Sequence, residues 1–127
     1  MDYLGGEYLY SVLSNDSDVT DIVGTAIYNA RLIPDTDTSS ETINFYQGGS
    51  YNAADEYYQL TWSVNCRAAT GYGAAELADK VRIALNRKSA ITGDYMYFGT
   101  CSILPTIPPA DESDVYNKPI EIILRRR

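Results

Sequence analysis

The clearest pattern in the chain is a strict alternation of apolar and polar residues over 59–68. The apolar members are Leu60, Trp62, Val64, Cys66 and Ala68. A period of two predicts a β-strand, with this set facing the core and a polar, mostly uncharged set facing the other way.

Apolar residues three and four apart predict helices in two further places. Residues 71–86 form the stronger helix, with Thr70 as its N-cap. A first helix is predicted from Asp2, as its cap, to about Leu13, although Gly5 and Gly6 lower its helix propensity. Asp18 is predicted to cap one short turn of helix that ends at Gly24.

The remaining segments complete a sheet. Strands are predicted at 25–32, 42–46, 95–104 and 116–125, with a bulge at Gly99. Residues 47–56 are predicted to be a long loop, because glycine and other turn residues concentrate there. The order of elements predicts a single α+β domain over 1–127, with two main helices packed on one mostly antiparallel β-sheet.

Charge is divided unevenly along the chain. The net charge is -7, yet residues 1–66 hold ten acids and only one base, Arg31, whereas residues 67–127 hold seven acids and nine bases. An acidic total argues against duplex DNA as a tightly bound partner, because phosphate binding requires lysine and arginine. Two explanations of the acidic net charge stay open: it keeps the protein soluble, or it forms a surface along which DNA passes without binding.

The composition excludes several kinds of chemistry. The chain has no histidine, which excludes Ser-His-Asp and Cys-His catalysis and histidine-ligated zinc. Cys66 and Cys101 are expected to be buried free thiols. The acids Asp16, Asp18 and Asp21 lack the spacing of a calcium loop and suit turns and caps better. No catalytic residue, metal site or cofactor is predicted, and the N-terminus and hydropathy indicate neither a secretory signal nor a membrane span, so a cytoplasmic, reducing compartment is expected.

Two features suit protein interfaces instead. The chain has twelve tyrosines, a residue type with an apolar ring and a polar tip, although strand propensity alone would also explain them. Arg125, Arg126 and Arg127 form either a solvated tail or a basic contact for an acidic neighbour, such as the first half of an adjacent copy in a ring. Ile123 is predicted to point away from the core, where it needs a covering element or a neighbouring subunit.

Four segments resemble the tail terminator, or tail completion, proteins of long-tailed bacteriophages. They are LYSVLS at 9–14, DVTDIVGTAIY at 18–28, LTWSVNCRA at 60–68 and AAELADKVRIAL at 74–85. These segments occur in the same order as in that family, and the resemblance covers roughly residues 8–104.

The resemblance implies a subunit of a hexameric ring that caps the finished tail tube, stops its polymerisation and provides the surface for head attachment. It implies as partners other copies of the chain, the major tail tube protein and the head-tail connector or stopper protein, with DNA passing through the lumen without specific binding and no membrane contact. The location implied is the head-proximal end of the tail, with assembly in the host cytoplasm. The interface candidates are Asp55, Glu56, Tyr57, Tyr58, Ile123, Arg125, Arg126 and Arg127.

Three alternatives remain at the level of sequence. One is a head-side connector or neck subunit of the same kind of virion. A second is a small acidic enzyme with a carboxylate site, although no pair of acids has the required placement. A third is an acidic module that mimics DNA, for which the runs of like charge are too short.

Overall fold

The fold was determined from a computed structural model, which describes residues 5–34, 36–54, 57–109 and 115–127, with backbone only for 49–54 and 57–58. Asp2, the predicted cap of the first helix, lies outside the described residues. The elements are helices α1 (Gly6–Asn15), α2 (Ser17–Val23) and α3 (Gly71–Leu85), and strands β1 (Ile27–Asn29), β2 (Thr42–Ala54), β3 (Tyr57–Ala68), β4 (Ser89–Thr92), β5 (Tyr95–Ile103) and β6 (Tyr116–Arg126).

The strands form one mixed, six-stranded sheet in the order β1-β2-β3-β6-β5-β4. β1 runs parallel to β2, and the other neighbouring pairs are antiparallel. The predicted α+β class is therefore confirmed, while the description as two main helices on an antiparallel sheet is only approximate, because α2 is a third helix and β1 is parallel.

A single apolar cluster joins the helices to one face of the sheet. Its strand members include the predicted inward set of β3, from Leu60 to Cys66, and Ile120, Ile122 and Leu124 of β6. Its helix members include Leu9 and Leu13 of α1, Val19 and Val23 of α2, and Leu77, Val81 and Leu85 of α3. α1 and α3 thus pack on this face of the sheet, and α2 packs against both of these helices, which buries one apolar face of each element.

α1 begins later than predicted. It starts at Gly6, and Gly5 takes the N-cap position with φ of 92°. A Cβ at Gly5 would overlap the side chain of Leu124, and a Cβ at Gly6 would lie 2.7 Å from the side-chain nitrogen Nδ2 of Asn29. The two glycines therefore let the start of the helix lie directly against the sheet. This close approach explains why glycine stands at two positions where helix propensity disfavours it.

The caps of the other helices differ in how well the sequence predicted them. Thr70 caps α3 as predicted, with its hydroxyl oxygen accepting a hydrogen bond from the Gly73 amide at 2.9 Å. The cap predicted for α2 is wrong by two residues. Asp16, and not Asp18, is the cap, and its carboxylate accepts hydrogen bonds from the Asp18 and Val19 amides at 3.0 and 3.2 Å. Several aspartates in one turn satisfy the same pattern, so spacing could not select between them.

The predicted loop at 47–56 is wrong over most of its length. β2 continues to Ala54 and pairs with β3, with a register shift between Gln47 and Tyr51. A β-bulge of this kind takes up the Gly48–Gly49–Ser50 segment without ending the strand. The turn residues therefore mark an irregularity inside a long hairpin.

The bulge predicted at Gly99 is also wrong. β5 pairs with β6 in unbroken register from Tyr97 to Ile103. A Cβ at Gly99 would lie 2.8 Å from Ile122 Cδ1, so this glycine makes room for a core side chain on the neighbouring strand. β4, which the pattern did not predict, forms a hairpin with β5 across the Gly93–Asp94 turn.

Candidate interaction surfaces

One face of the sheet carries none of the described helices, and we call it the open face. Its central positions on β3, β5 and β6 are mainly small and neutral. They are Thr61, Ser63, Asn65, Thr100, Ser102, Glu121 and Ile123, placed side by side by the strand register. Ile123 lies on this face between its cross-strand partners Thr61 and Thr100, and its side chain is half-buried. The prediction that it points away from the helices is confirmed by this register.

An apolar corner adjoins the open face at the β4 edge. It consists of Ile91, Met96 and Phe98, which are 74%, 43% and 38% exposed. Ile91 and Met96 are direct cross-strand partners, and Phe98 follows on the same face of β5. Large apolar side chains grouped at a sheet edge mark an interaction surface more often than single exposed ones do. Sequence reasoning missed this corner because it missed β4, although the Gly93–Asp94 hairpin turn was a usable signal.

The three C-terminal arginines do not share one environment. Arg125 and Arg127 are exposed. Arg126 is 4% exposed and belongs to the helix side of the sheet, where its guanidinium lies 4.1 Å from the centre of the Tyr95 ring. The expectation of one exposed basic tail is therefore corrected for Arg126, because the alternation of β6 turns every second side chain inward.

Tyr57 and Tyr58, two further predicted interface residues, begin β3 beside this end of β6. Tyr58 is the cross-strand partner of Arg126, and Gln59 is that of Arg125. The structure describes only the backbone of Tyr57 and Tyr58, while Asp55 and Glu56 lie outside the described residues. The pairing thus brings the start of β3 and the C-terminal arginines to one end of the sheet.

At the opposite edge of the sheet, a tyrosine–carboxylate contact holds the loop beside β1. Tyr28 of β1 donates a hydrogen bond to the Asp37 carboxylate, and the Ser39 amide donates to the same group at 2.8 Å. The hydrogen bonds from Ser39 and then Tyr28 lower the pKa of Asp37, and the bond to Asp37 raises the pKa of Tyr28. These bonds fix the loop beside β1, next to an open pocket that also includes Arg67 and Val115.

Metal-ligating groups and thiols are two further kinds of group that could carry chemistry. No group of three Cys, Asp or Glu side chains there could hold a metal ion. Burial raises the pKa of the Cys66 thiol, and it raises that of Cys101 to about 11. Both thiols are therefore protonated at neutral pH and weak nucleophiles. The expectation of buried thiols is met by Cys66, while Cys101 is half-buried.

None of the described helices is long and apolar enough to cross a membrane. By sequence, the chain matches no family profile and no curated protein. By structure, it is similar to a chain of the virion of a native gene transfer agent particle, with a TM-score of 0.67 over 94% of this chain and 90% of that chain. The two sequences are 19% identical, so the match shows a shared fold.

Proposed function

We propose that this protein is a structural subunit of a virion, which forms a ring at the end of a tail tube, terminates tube polymerisation and provides the surface for head attachment. It acts by fitting between other proteins and catalyses no reaction. The observation that carries the proposal is the fold shared with a gene transfer agent virion chain over nearly the full length of both chains.

The two faces of the sheet support a ring with an inner channel. The helices lie on one face, and the centre of the open face is neutral except for Glu121, with Arg67 and Arg125 towards its two ends. A channel that passes DNA must hold few cations, since each lysine or arginine that meets a phosphate adds to binding. We therefore assign the open face to the channel and the helices to the outside of the ring.

The partners of the ring are the tail tube on one side and the head connector on the other. The test uses purified protein mixed with tail tubes, and separately with emptied heads, from the particle that encodes it, followed by negative-stain imaging. Density capping the tube ends supports the proposal. Density bound only at the head portal would instead identify a neck or connector subunit, and density at neither would contradict a virion role at this junction.

A second test addresses the alternative of an enzyme. Neutralising Glu121→Gln removes the acid at the centre of the open face while preserving its size. A capping ring is expected to tolerate this change, and tube lengths in assembly mixtures should be unaltered. A product that forms with the wild-type chain and is lost in this variant would contradict a purely structural role.

A further inference from the structure

The β4 edge of the sheet has no strand beside it in the described structure. β4 pairs with β5 on one side only, and three of its four residues are exposed. The side of β4 that faces away from β5 therefore carries backbone groups without a strand partner. Such an edge can pair with one extended segment of another chain, which is the mode of binding called β-augmentation.

The backbone groups on this edge can be identified from the hydrogen bonds of the neighbouring strand. Met96 of β5 exchanges both of its backbone hydrogen bonds with Arg127, at 2.9 and 2.8 Å. Its partner on β4 is Ile91, which therefore directs its own N–H and C=O away from β5, because antiparallel partners alternate between bonded and non-bonded pairs. Ser89, two residues earlier, points the same way. The edge thus offers two donors and two acceptors at the spacing of an added strand.

The apolar corner gives an added segment side chains to pack against. Ile91 lies on the edge strand itself and is 74% exposed, and Met96 is its cross-strand neighbour. An added strand places every second side chain on the face that Ile91 occupies, where cross-strand neighbours contact one another. An apolar residue of the added segment beside Ile91 would therefore remove apolar surface of the corner from water.

Three exposed bases lie around this corner. Arg87 and Lys88 immediately precede β4, and Arg125 is the cross-strand partner of Phe98. None of the three bases forms an ion pair with another described residue. The acid Asp94 lies in the turn at the other end of β4. A segment that pairs with β4 is therefore favoured when it carries acids beside the Arg87 and Lys88 end of the strand.

The backbone at Arg87 suits glycine better than arginine. Arg87 directly follows Asn86, the C-cap of α3, and its φ is 57°. In the described part of the chain, it is the one non-glycine residue with a positive φ. The left-handed residue at a helix end is most often glycine, because a Cβ strains this conformation. The turn would therefore be more stable with glycine, and what the arginine side chain adds is charge at the start of β4.

The other uncovered strand edges of the described structure do not match this charge. β1 (Ile27–Asn29) and the part of β2 beyond its pairing with β1 (Tyr46–Ala54) contain no charged residue. Either edge of a second copy could supply backbone bonds, but neither supplies an acid for Arg87 and Lys88. Nucleic acid supplies the negative charge but no peptide backbone to pair with Ile91. The occupant that meets both requirements is an acidic segment of a different protein.

We propose that β4 (Ser89–Thr92) is a docking site for an extended segment of a different protein, which adds to the six-stranded sheet at its outer edge. The segment carries acidic side chains beside Arg87 and Lys88 and an apolar side chain beside Ile91. The inference goes beyond the proposed function, because it defines one partner of the subunit by its chemistry and holds whether the subunit caps a tail tube or joins a neck.

Labelled peptides of about ten residues test the docking site. One probe has two glutamates followed by alternating valine and threonine, and a second has the same residues in reverse order. A parallel and an antiparallel added strand can then each place its acids beside Arg87 and Lys88. The matched controls have lysine in place of glutamate. Fluorescence anisotropy with the full chain should show saturable binding of an acidic probe, with an affinity about tenfold or more above that of its lysine control and falling as salt is raised.

The backbone of Ile91 separates strand pairing from general attraction. Its outward N–H should exchange with solvent more slowly when the acidic probe is bound, because the added strand accepts a hydrogen bond from it. Ile91→Pro removes this N–H and leaves the bonds to β5 intact, so the affinity for the probe should fall about tenfold or more. Ile91→Ser keeps the N–H and loses the apolar contact, and should weaken binding less. Circular dichroism should show that both variants are folded.

Arg87→Gly is expected to have two opposite effects. The thermal unfolding midpoint should rise, because glycine adopts the left-handed conformation without strain. The affinity for the acidic probe should fall about two- to fivefold, which is the effect of losing one exposed ion pair. The matched control is Arg31→Gln, which neutralises an exposed base over the Tyr46 ring, away from β4, and should leave the affinity unchanged. Equal affinities in the wild type and Arg87→Gly would overturn the proposal.

The outcomes distinguish this inference from the proposed function. Failure of both acidic probes to bind, equal binding of the glutamate and lysine peptides, or wild-type affinity in Ile91→Pro would overturn the docking site even if the protein caps tail tubes. Self-association that is lost in Ile91→Pro, without binding of a probe, would assign the edge to a second copy and would also overturn it. A docking site that behaves as proposed in a protein that binds neither tubes nor heads would instead contradict the proposed function and leave this inference supported.

Discussion

Gly5 occupies a position where both backbone conformation and space exclude a side chain. Its φ is 92°, and an added Cβ would overlap Leu124 in the core. Gly5→Ala is therefore expected to lower the free energy of unfolding by about 2–4 kcal/mol, from backbone strain and overpacking together. Chemical denaturation would measure the loss.

Gly71 provides the matched control for this change. A Cβ there would lie 3.6 Å from Tyr116, which is an ordinary contact, and alanine is the better residue in the first turn of a helix. Gly71→Ala is expected to raise stability by up to about 1 kcal/mol. Equal effects at the two positions would contradict the close approach of α1 to the sheet.

Arg126 and Arg125 are adjacent in sequence but face opposite sides of the sheet. Arg126→Ala removes a desolvated cation–π contact with Tyr95 and the packing of the arginine stem, and is expected to cost about 2–3 kcal/mol of stability. Arg125→Ala, on the exposed side, should change stability by no more than about 0.5 kcal/mol. Urea unfolding of both variants measures the difference, and a larger loss for Arg125 would contradict the inward position of Arg126.

At the scale of elements, α2 depends on its cap because it is only seven residues long. Asp16→Ala removes the acceptor for two amides and is expected to cost about 1 kcal/mol of stability, whereas Asp16→Asn should cost much less, because asparagine caps equally well. Thermal unfolding of the two variants provides the measurement. A full loss in Asp16→Asn would indicate that the charge, and not the hydrogen bond, stabilises this helix.

The loop beside β1 has a pH dependence with a definite sign. The pKa of Asp37 is lowered below its ordinary value of 3.8 by hydrogen bonds from Ser39 and then Tyr28, so its stabilising effect is present above that value and is lost as the pH falls through the folded pKa. Tyr28→Phe should move the pKa of Asp37 upward, although Ser39 should still hold it below 3.8. Carboxyl NMR titration measures the shift, and an unchanged pKa would contradict the Tyr28 contact.

The sequence predicted those elements whose pattern is local. β3, α3 and β6 each carry an uninterrupted period of two or of 3.6 residues, and all three appear within a few residues of their predicted bounds. β1 and β4 have three and four residues and depend on pairing with distant segments. The extension of β2, like the burial of Arg126, follows from registers set across the sheet, which no local pattern contains.

The candidate surfaces were predictable to a similar degree. The outward position of Ile123 followed from the alternation of β6, and the charge difference between the two halves of the chain was visible in the sequence. The sheet order shows where the two differently charged halves of the chain lie. Strands of the first half form one side of the sheet, and strands of the second half form the other side. The apolar corner could not be predicted without β4, because Ile91 and Met96 meet only across that hairpin.

At the scale of the whole molecule, the centre of the open face carries no positive charge, and Arg67 and Arg125 lie towards its two ends. Thr61 and Thr100 flank Ile123 at its centre. A ring of wild-type subunits is therefore expected to bind duplex DNA no more than weakly at physiological salt. Thr61→Lys/Thr100→Lys adds two cations per subunit at this point, and the assembled variant should bind DNA with an affinity that falls steeply with salt, since log K falls by about 0.9 per phosphate contact for each unit of log salt.

The matched control places the same change in net charge on the helix side of the sheet, which is the outside of the proposed ring. Glu76 is an exposed residue of α3, and Glu76→Lys also changes the net charge by two units while leaving the open face unaltered. Fluorescence anisotropy with a short labelled duplex, measured over a salt series, should show strong binding for the Thr61 and Thr100 variant and weak binding for Glu76→Lys. Equal binding by the two variants would mean that DNA responds to total charge, and that the open face does not line the path of the DNA.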